Sequence, residues 1–283
     1  MGTRPLRRYG AHTTTIEVAD DLGDVVEPWT RHRLRFLEAL TALDEDAWRT
    51  PSRCDGWDAR GVALHLSSAD MFFAVSLTSG AAGNPTDFLA DFDPTSTPAA
   101  MVASEGDLSG AEVLERFRKG HDSLVGAVNA VDDWTAVAES PMGQVSSRLV
   151  LAHALWDSWL HERDIFEPIG QAVPVLDDEL RAVSWYALTM AGLQGGLLDD
   201  PTPAGPGPDE PVDEAVTFDD VDLALHVRYD TGVHIDRVDP AAATPVGSAR
   251  AMVETATGRA PLPEPNPLPA ALAEQFARAM AVL

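Results

Sequence analysis

The segment WDSWLHERDIF, residues 156–166, decides the fold, because it has the apolar content of a buried helix and yet carries ionisable side chains. At about 100° per residue, Asp157, His161 and Asp164 fall in one arc of roughly 80°, together with His153 one turn earlier. Aliphatic residues share this arc, which is therefore the core-facing stripe of the helix. Ionisable groups are costly there unless they are paired or bind a metal.

A second segment, ARGVALHLSSADMFFAVSL at residues 59–77, has the same character. Asp58 is the expected N-cap of this helix, and His65 lies on its apolar stripe. A single inward histidine is more often a hydrogen-bonded core residue than a metal ligand. Combined with Asp157 and His161 on the other helix, however, it completes a set of two nitrogens and one oxygen.

Three protein ligands with a fourth position left open are typical of a catalytic zinc site, and helical bundles build such sites in their cores. The alternative is a structural cluster in which Asp157 or Asp164 holds His161 by a hydrogen bond. Spacing alone does not separate the two, because an acid and a histidine four residues apart are common on helices.

The rest of the chain indicates an α+β protein. Helical periodicity recurs in several long segments, which predicts an up-and-down bundle. The sequence DDPTPAGPGPDEP at 199–211 is too rich in proline and glycine to be helical, and alternating strand-like segments follow it. The expected organisation is an N-terminal arm, a helical bundle, a linker and a small α+β domain, at residues 1–22, 23–198, 199–211 and 212–283, respectively.

The composition excludes several classes of function. The chain has 20 Lys and Arg against 45 Asp and Glu, a net charge of −25, which disfavours nucleic-acid binding. No run of about 18 apolar residues is present, so no membrane span is expected. Cys54 is the single cysteine, and no apolar segment follows the N-terminal arginines, so we expect a cytoplasmic protein without an intrachain disulfide.

Two motifs together resemble a known family. WRTPSRCDGWDARGVALHLSSAD at 48–70 and WDSWLHERDI at 156–165 are similar to the signatures of the mycothiol-dependent maleylpyruvate isomerase family, and VGSARAMVETATGRA at 246–260 is similar to its closing segment. The resemblance implies a DinB-like four-helix bundle, followed by a small sterol-carrier-like α+β domain.

The resemblance also implies the metal ligands, which are His65, Asp157 and His161. The family's usual acid is glutamate, and the shorter aspartate here shifts the metal or admits a water. Asp164 matches the trailing aspartate of the motif, and we expect it to orient His161. His153 has no counterpart in the motif and is an alternative ligand or a neighbour that supports one.

The implied chemistry uses mycothiol, the low-molecular-weight thiol of actinobacteria, together with a divalent metal, with zinc expected first and Ni²⁺, Co²⁺ or Mn²⁺ also compatible. The thiolate attacks an electrophilic carbon of a small molecule, as an isomerase or as a thiol S-transferase. The aspartate in place of glutamate leaves more room for a transferase. Two alternatives remain, a non-catalytic metal- or thiol-binding protein and a DinB-like zinc hydrolase.

Further residues are expected to bind the substrate or the thiol. Arginines suit a substrate anion, although any one of them is more often a surface charge, and tryptophans beside the motifs suit a pocket wall. Cys54 is expected to be structural rather than nucleophilic, and the oligomeric state is left open between monomer and dimer. The candidates are Arg53, Trp57, Arg60, Trp156, Arg228 and Arg237.

Overall fold

The computed structural model describes residues 5–7, 13–89, 92–93, 96–193, 211–230, 232–261 and 263–280 of the 283-residue chain. The described chain forms two compact units. One comprises residues 25–141 and 145–175 and is mainly helical. The other comprises residues 1–24, 142–144 and 176–283 and combines a sheet with helices. The predicted α+β class, with a helical bundle followed by an α+β region, is confirmed.

The helical unit is a four-helix bundle with two shorter helices and most of a β-hairpin, whose residues 142–144 are grouped with the other unit. Helix α3 packs against α5 and α6, and α1 packs against α5 and α6. The elements are α1 (Val26–Thr41), α2 (Glu45–Trp48), α3 (Ala59–Ala81), α4 (Ser96–Ser104), α5 (Gly110–Asn129), β3 (Val137–Ser140), β4 (Gly143–Ser146) and α6 (Ser147–Phe166).

Side-chain caps begin the two helices that carry the motifs. Asp58 accepts a hydrogen bond from the backbone N–H of Gly61 at 3.1 Å, which confirms it as the N-cap of α3. Ser146 caps α6 through the N–H of Leu149. The short helices α2 and α4 were not predicted, because α2 has four residues and α4 buries no side chain.

An aromatic cluster lies in the bundle core at the C-terminal end of α6. Phe36 of α1 meets Phe117 of α5 and Phe166 of α6 edge-on, with ring centroids 5.5 and 6.0 Å apart. All three side chains are buried. This packing ties the end of α6 to both neighbouring helices and sets the depth at which its polar residues lie.

Among the described residues, α3 is the one helix long and apolar enough to cross a membrane by length and composition. Just over half of the qualifying window, 56%, is buried inside the protein. The core helix of a soluble protein meets the same criterion, so this feature is weak evidence for a membrane span.

The second unit is built on a six-stranded sheet in the order β1-β2-β7-β6-β5-β8. Strands β5, β6 and β7 form an antiparallel meander, β2 pairs in parallel with β7, and β8 in parallel with β5. The elements are β1 (Pro5–Arg7), β2 (Thr13–Val18), α7 (Asp177–Leu193), β5 (Val212–Thr217), β6 (Ala224–Tyr229), β7 (Gly232–Arg237), β8 (Thr244–Pro245), α8 (Ala249–Ala256) and α9 (Ala270–Met280).

Two expected boundaries differ from this structure. The described part of the N-terminal segment is not a separate arm, because β2 completes the open hydrogen-bonding edge of β7. Helix α7 groups with the sheet rather than with the bundle. Gly192 shows why, since a Cβ atom at this position would lie 2.6 Å from the ring of Tyr229. The expected linker at 199–211 falls almost wholly outside the described residues.

Candidate metal centre

The two helices predicted to supply the site bring three side chains together. His65 projects from α3 and Asp157 and His161 from α6, and one ligand atom from each lies within 4.8 Å of the others. His161 is 7% exposed, whereas His65 and Asp157 are partly exposed. The donor atoms therefore converge at a place that is sheltered but still reachable from solvent.

The distances in this group are compatible with a bound metal as well as with an ion pair. Nε2 of His65 lies 3.5 Å from Oδ2 of Asp157, and Nε2 of His161 lies 3.3 Å from Oδ1. Donors bound to a tetrahedral zinc ion are about 3.3–3.5 Å apart, whereas charge-assisted hydrogen bonds are about 2.7–2.9 Å long. The two contacts use different oxygens of Asp157, and the two nitrogens and the carboxylate form a donor set that a divalent metal ion accepts.

Asp164 lies behind His161, as the predicted orienting role requires. Its Oδ2 is 2.9 Å from Nδ1 of His161, which must donate because an ionised carboxylate only accepts. Asp164 is fully buried. The contact leaves Nε2 of His161 directed toward Asp157 and His65, the arrangement by which carboxylates orient histidine ligands.

Burial and the close contacts within this group shift the pKa values of Asp157 and His161. Burial opposes ionisation of Asp157, but the charges of His161 and His65 outweigh it and hold the pKa of Asp157 well below its usual value. Burial likewise opposes protonation of His161, but Asp157, Asp164 and Cys54 together raise its pKa well above 6.5. Without metal the site is thus an imidazolium–carboxylate pair, and metal binding must displace a proton.

His153 differs from the three ligand candidates. Burial, reinforced by the charge of His65 and opposed by that of Asp157, lowers its pKa to about 4. Its ring lies among aromatic side chains, with centroids 5.4 Å from Phe73 and 5.6 Å from Trp156. His153 is therefore neutral near pH 7 and lies outside the group of converging donors.

Arg53, a candidate to bind a substrate anion, is bonded to carboxylates of its own chain. Its Nε donates to Oδ1 of Asp164 at 2.9 Å and one terminal nitrogen donates to Glu167 at 2.7 Å. Its backbone N–H also donates to the carbonyl of Asp164 at 3.1 Å. Most of its donor capacity is used within the chain, where it fixes the loop to α6. Sequence spacing gave no signal for these contacts, which span more than 100 residues.

Cys54 and Trp57 extend from the same loop toward the two histidines. The Cys54 thiol donates to Oδ2 of Asp164 at 3.2 Å, and its sulfur is 3.7 Å from Nδ1 of His161. The ring of Trp57 lies 5.5 Å from that of His65, centroid to centroid. Cys54 therefore lies on the side of His161 that faces away from the metal ligands, in agreement with a structural role. Cys54, His161 and Asp164 also bring one ligand atom each within 4.8 Å of the others, but Asp164 is already bound to Arg53.

The remaining predicted residues are placed as follows. Trp156 is buried beside His153. Arg60 is bound to Asp58, Asp107 and the carbonyl of Leu108. In the other unit, Arg228 of β6 pairs with Asp230, and the exposed Arg237 of β7 contacts the carbonyl of Asp222 at 3.4 Å. The arginine contacts give no support to a substrate-anion role, which stays a prediction.

The fold and the site define a helical-bundle domain with a candidate divalent-metal centre. Residues 29–166 match the family model of the mycothiol maleylpyruvate isomerase N-terminal domain, and this match spans most of the helical unit. No curated protein matches the chain.

Two solved structures share the fold. One is the mycothiol-dependent maleylpyruvate isomerase and the other a histidine-to-alanine mutant of it. Each is 16% identical to this chain, with a TM-score of 0.56, and the match covers 84% of this chain and 90% of the other. At this identity the likeness shows the fold alone.

Proposed function

We propose that the helical unit binds a divalent metal, zinc in the first place, and that the protein is an enzyme that uses mycothiol. The observation that carries the proposal is the convergence of His65, Asp157 and His161 within 4.8 Å. The family match over residues 29–166 supports mycothiol as the thiol.

Each residue of the site has a distinct task in this proposal. His65 and His161 hold the metal through Nε2, and Asp157 supplies the anionic oxygen. Asp164 accepts the Nδ1 hydrogen of His161 and so keeps Nε2 free for the metal. When bound, a zinc ion with three protein ligands offers a fourth position and favours the thiolate form of a thiol near neutral pH.

The reaction that fits best is attack of a thiolate on an electrophilic carbon of a small molecule. Either the thiol adds and later leaves, as in an isomerase, or it stays on the product, as in an S-transferase. The chain supplies no nucleophile of its own in this scheme, since the Cys54 thiol is bonded to Asp164. His153, neutral near pH 7, lies one helical turn before Asp157.

Elemental mass spectrometry and calorimetry with mycothiol test the proposal on the wild type, His161→Ala and His226→Ala. His226 pairs with Asp213 in the other unit and serves as the matched control. We expect about one zinc per chain and measurable mycothiol binding for the wild type and the control, and loss of both in His161→Ala.

Wild-type protein that takes up no metal when zinc is offered would overturn the metal site. Zinc binding without any affinity for mycothiol, combined with hydrolase activity in thiol-free buffer, would replace the thiol enzyme by a zinc hydrolase.

A further inference from the structure

A cavity of about 570 Å³ lies beside the metal centre, within the helical unit. This volume is in the range of small-molecule sites. The loop that precedes α3 forms one side, and the end of α4 with the start of α5 forms the other. The cavity contains no residue that we assign to the metal. Its lining includes Cys54, Asp55, Trp57, Arg60, Val102 and Leu108.

Two lining residues connect the cavity to the metal ligands. Trp57 is in the cavity wall and its ring lies 5.5 Å from that of His65. Cys54 is in the same wall and its sulfur lies 3.7 Å from His161. One layer of side chains therefore separates the cavity from the two histidine ligands, and a molecule anchored at the partly exposed His65 and Asp157 would pass over this layer to enter the cavity.

The charges around the cavity indicate what kind of group it accepts. Arg60 is the one cation among its lining residues, and its guanidinium is already bonded to Asp58, Asp107 and the carbonyl of Leu108. The Asp55 carboxylate, in contrast, has no partner among the described residues. The cavity therefore offers hydrogen-bond acceptors and no available cation, which disfavours an anion.

We propose that this cavity binds the uncharged, hydroxyl-rich part of the thiol cofactor, an inference that rests on the proposed function above. Sugar-like hydroxyls donate hydrogen bonds, and Asp55 accepts them. The ring of Trp57 and the apolar side chains of Val102 and Leu108 pack against the carbon skeleton. The thiol end reaches the metal centre, and the opposite end occupies the cavity.

Calorimetry on the zinc-loaded full chain tests the inference with two probes, mycothiol and N-acetylcysteine amide, which carries the thiol without the sugar part. Val102→Trp fills the cavity, and Met101→Trp is the matched control, because Met101 is 46% exposed on the same helix and does not line the cavity. We expect Val102→Trp to weaken mycothiol binding by about 10-fold or more and to change N-acetylcysteine amide binding by less than about 2-fold. Met101→Trp should bind both probes like the wild type.

Asp55→Ala provides an independent variant, since Asp55 is exposed and its replacement leaves the packing intact. We expect a selective loss of about 3- to 5-fold in mycothiol affinity. Unchanged mycothiol binding in both Val102→Trp and Asp55→Ala, with a wild type that binds it, would overturn the cavity assignment and leave the proposed function intact. If Val102→Trp does not fold, Asp55→Ala decides alone. A zinc-loaded wild type that binds neither probe would overturn the proposed function and this inference together.

Discussion

Asp164 holds His161 from behind, with its Oδ2 2.9 Å from Nδ1 of the imidazole, while its Oδ1 is bonded to Arg53. The carboxylate is fully buried and thus linked at the same time to a ligand candidate and to the loop before α3. A buried carboxylate in this position sets both the tautomer and the orientation of the imidazole.

Replacing Asp164 by alanine should lower zinc affinity about 10- to 100-fold, because His161 then loses the group that fixes its Nδ1 hydrogen. Competition with a fluorescent chelator measures the affinity. Glu167→Gln is the control, since Glu167 also accepts a hydrogen bond from Arg53. Equal affinities for Asp164→Ala and the wild type would show that the hydrogen bond does not support metal binding.

Replacing Arg53 by alanine should lower zinc affinity about 3- to 10-fold, less than Asp164→Ala does, because Arg53 acts through Asp164. Arg53→Lys should restore it only in part, as a single ammonium cannot hold two carboxylates with the geometry of a guanidinium. The visible spectrum of the Co²⁺-loaded protein reports ligand geometry independently of stability. Arg49→Ala, which removes an exposed pair with Glu45, should leave this spectrum unchanged.

In metal-free protein, Asp157→Asn should lower the pKa of His161, because the charge of Asp157 is the main influence that raises it against burial. The wild-type His161 should stay protonated well above pH 6.5, and the variant should lose its proton at lower pH. An NMR titration of the imidazole nitrogens follows this directly. A His161 pKa that is the same in both proteins would contradict the close contact of 3.3 Å between the two side chains.

Glu162 should stabilise the bundle in a pH-dependent manner. Burial opposes its ionisation, but His32 and Arg35 outweigh this and lower its pKa to about 2, from 4.5 in the unfolded chain. Its contribution is therefore fully present above pH 4.5 and is lost as the pH falls toward 2. Glu162→Gln should cost about 2–3 kcal/mol at pH 7 and progressively less below pH 4.5.

Urea unfolding at a series of pH values measures this difference in the free energy of unfolding. Glu38→Gln, at an exposed position of α1, should change it by less than about 0.5 kcal/mol at every pH. A penalty for Glu162→Gln that does not diminish below pH 4.5 would exclude an ionised, paired Glu162.

Replacing two glycines of α5 by alanine should change the stability of the protein in opposite directions. A Cβ atom at Gly120 would lie 2.7 Å from the carbonyl oxygen of Ser67 on α3, so Gly120→Ala should cost about 1–3 kcal/mol. Gly126 has open space around it, and Gly126→Ala should stabilise the helix by up to about 1 kcal/mol. Thermal unfolding of both variants provides the comparison, and two shifts of the same sign would contradict the close packing of α3 on α5.

The helical part of the fold and the shared face of Asp157, His161 and Asp164 could be predicted from the sequence, because both depend on local periodicity. Residues spaced three or four apart on a helix share a face whatever the rest of the chain does. Thus His161 and Asp157 were expected on one face, Asp164 was expected beside His161, and Asp58 was expected as a cap. His65 was singled out by its place on the apolar stripe of the other helix, and the resemblance to a family favoured a metal site over a structural cluster.

The contacts that join distant segments depended on tertiary structure. Arg53 bonds Asp164 across 111 residues, and β2 pairs with β7 across more than 200, so neither pairing leaves a periodic signal in the sequence. The positive charge of Arg53 suggested that it binds a substrate anion, but in the folded chain it donates hydrogen bonds to the carboxylates of Asp164 and Glu167. Periodicity along the chain thus predicts which residues share a face, whereas packing between elements decides which face meets which partner, and hence which charged groups remain available to a ligand.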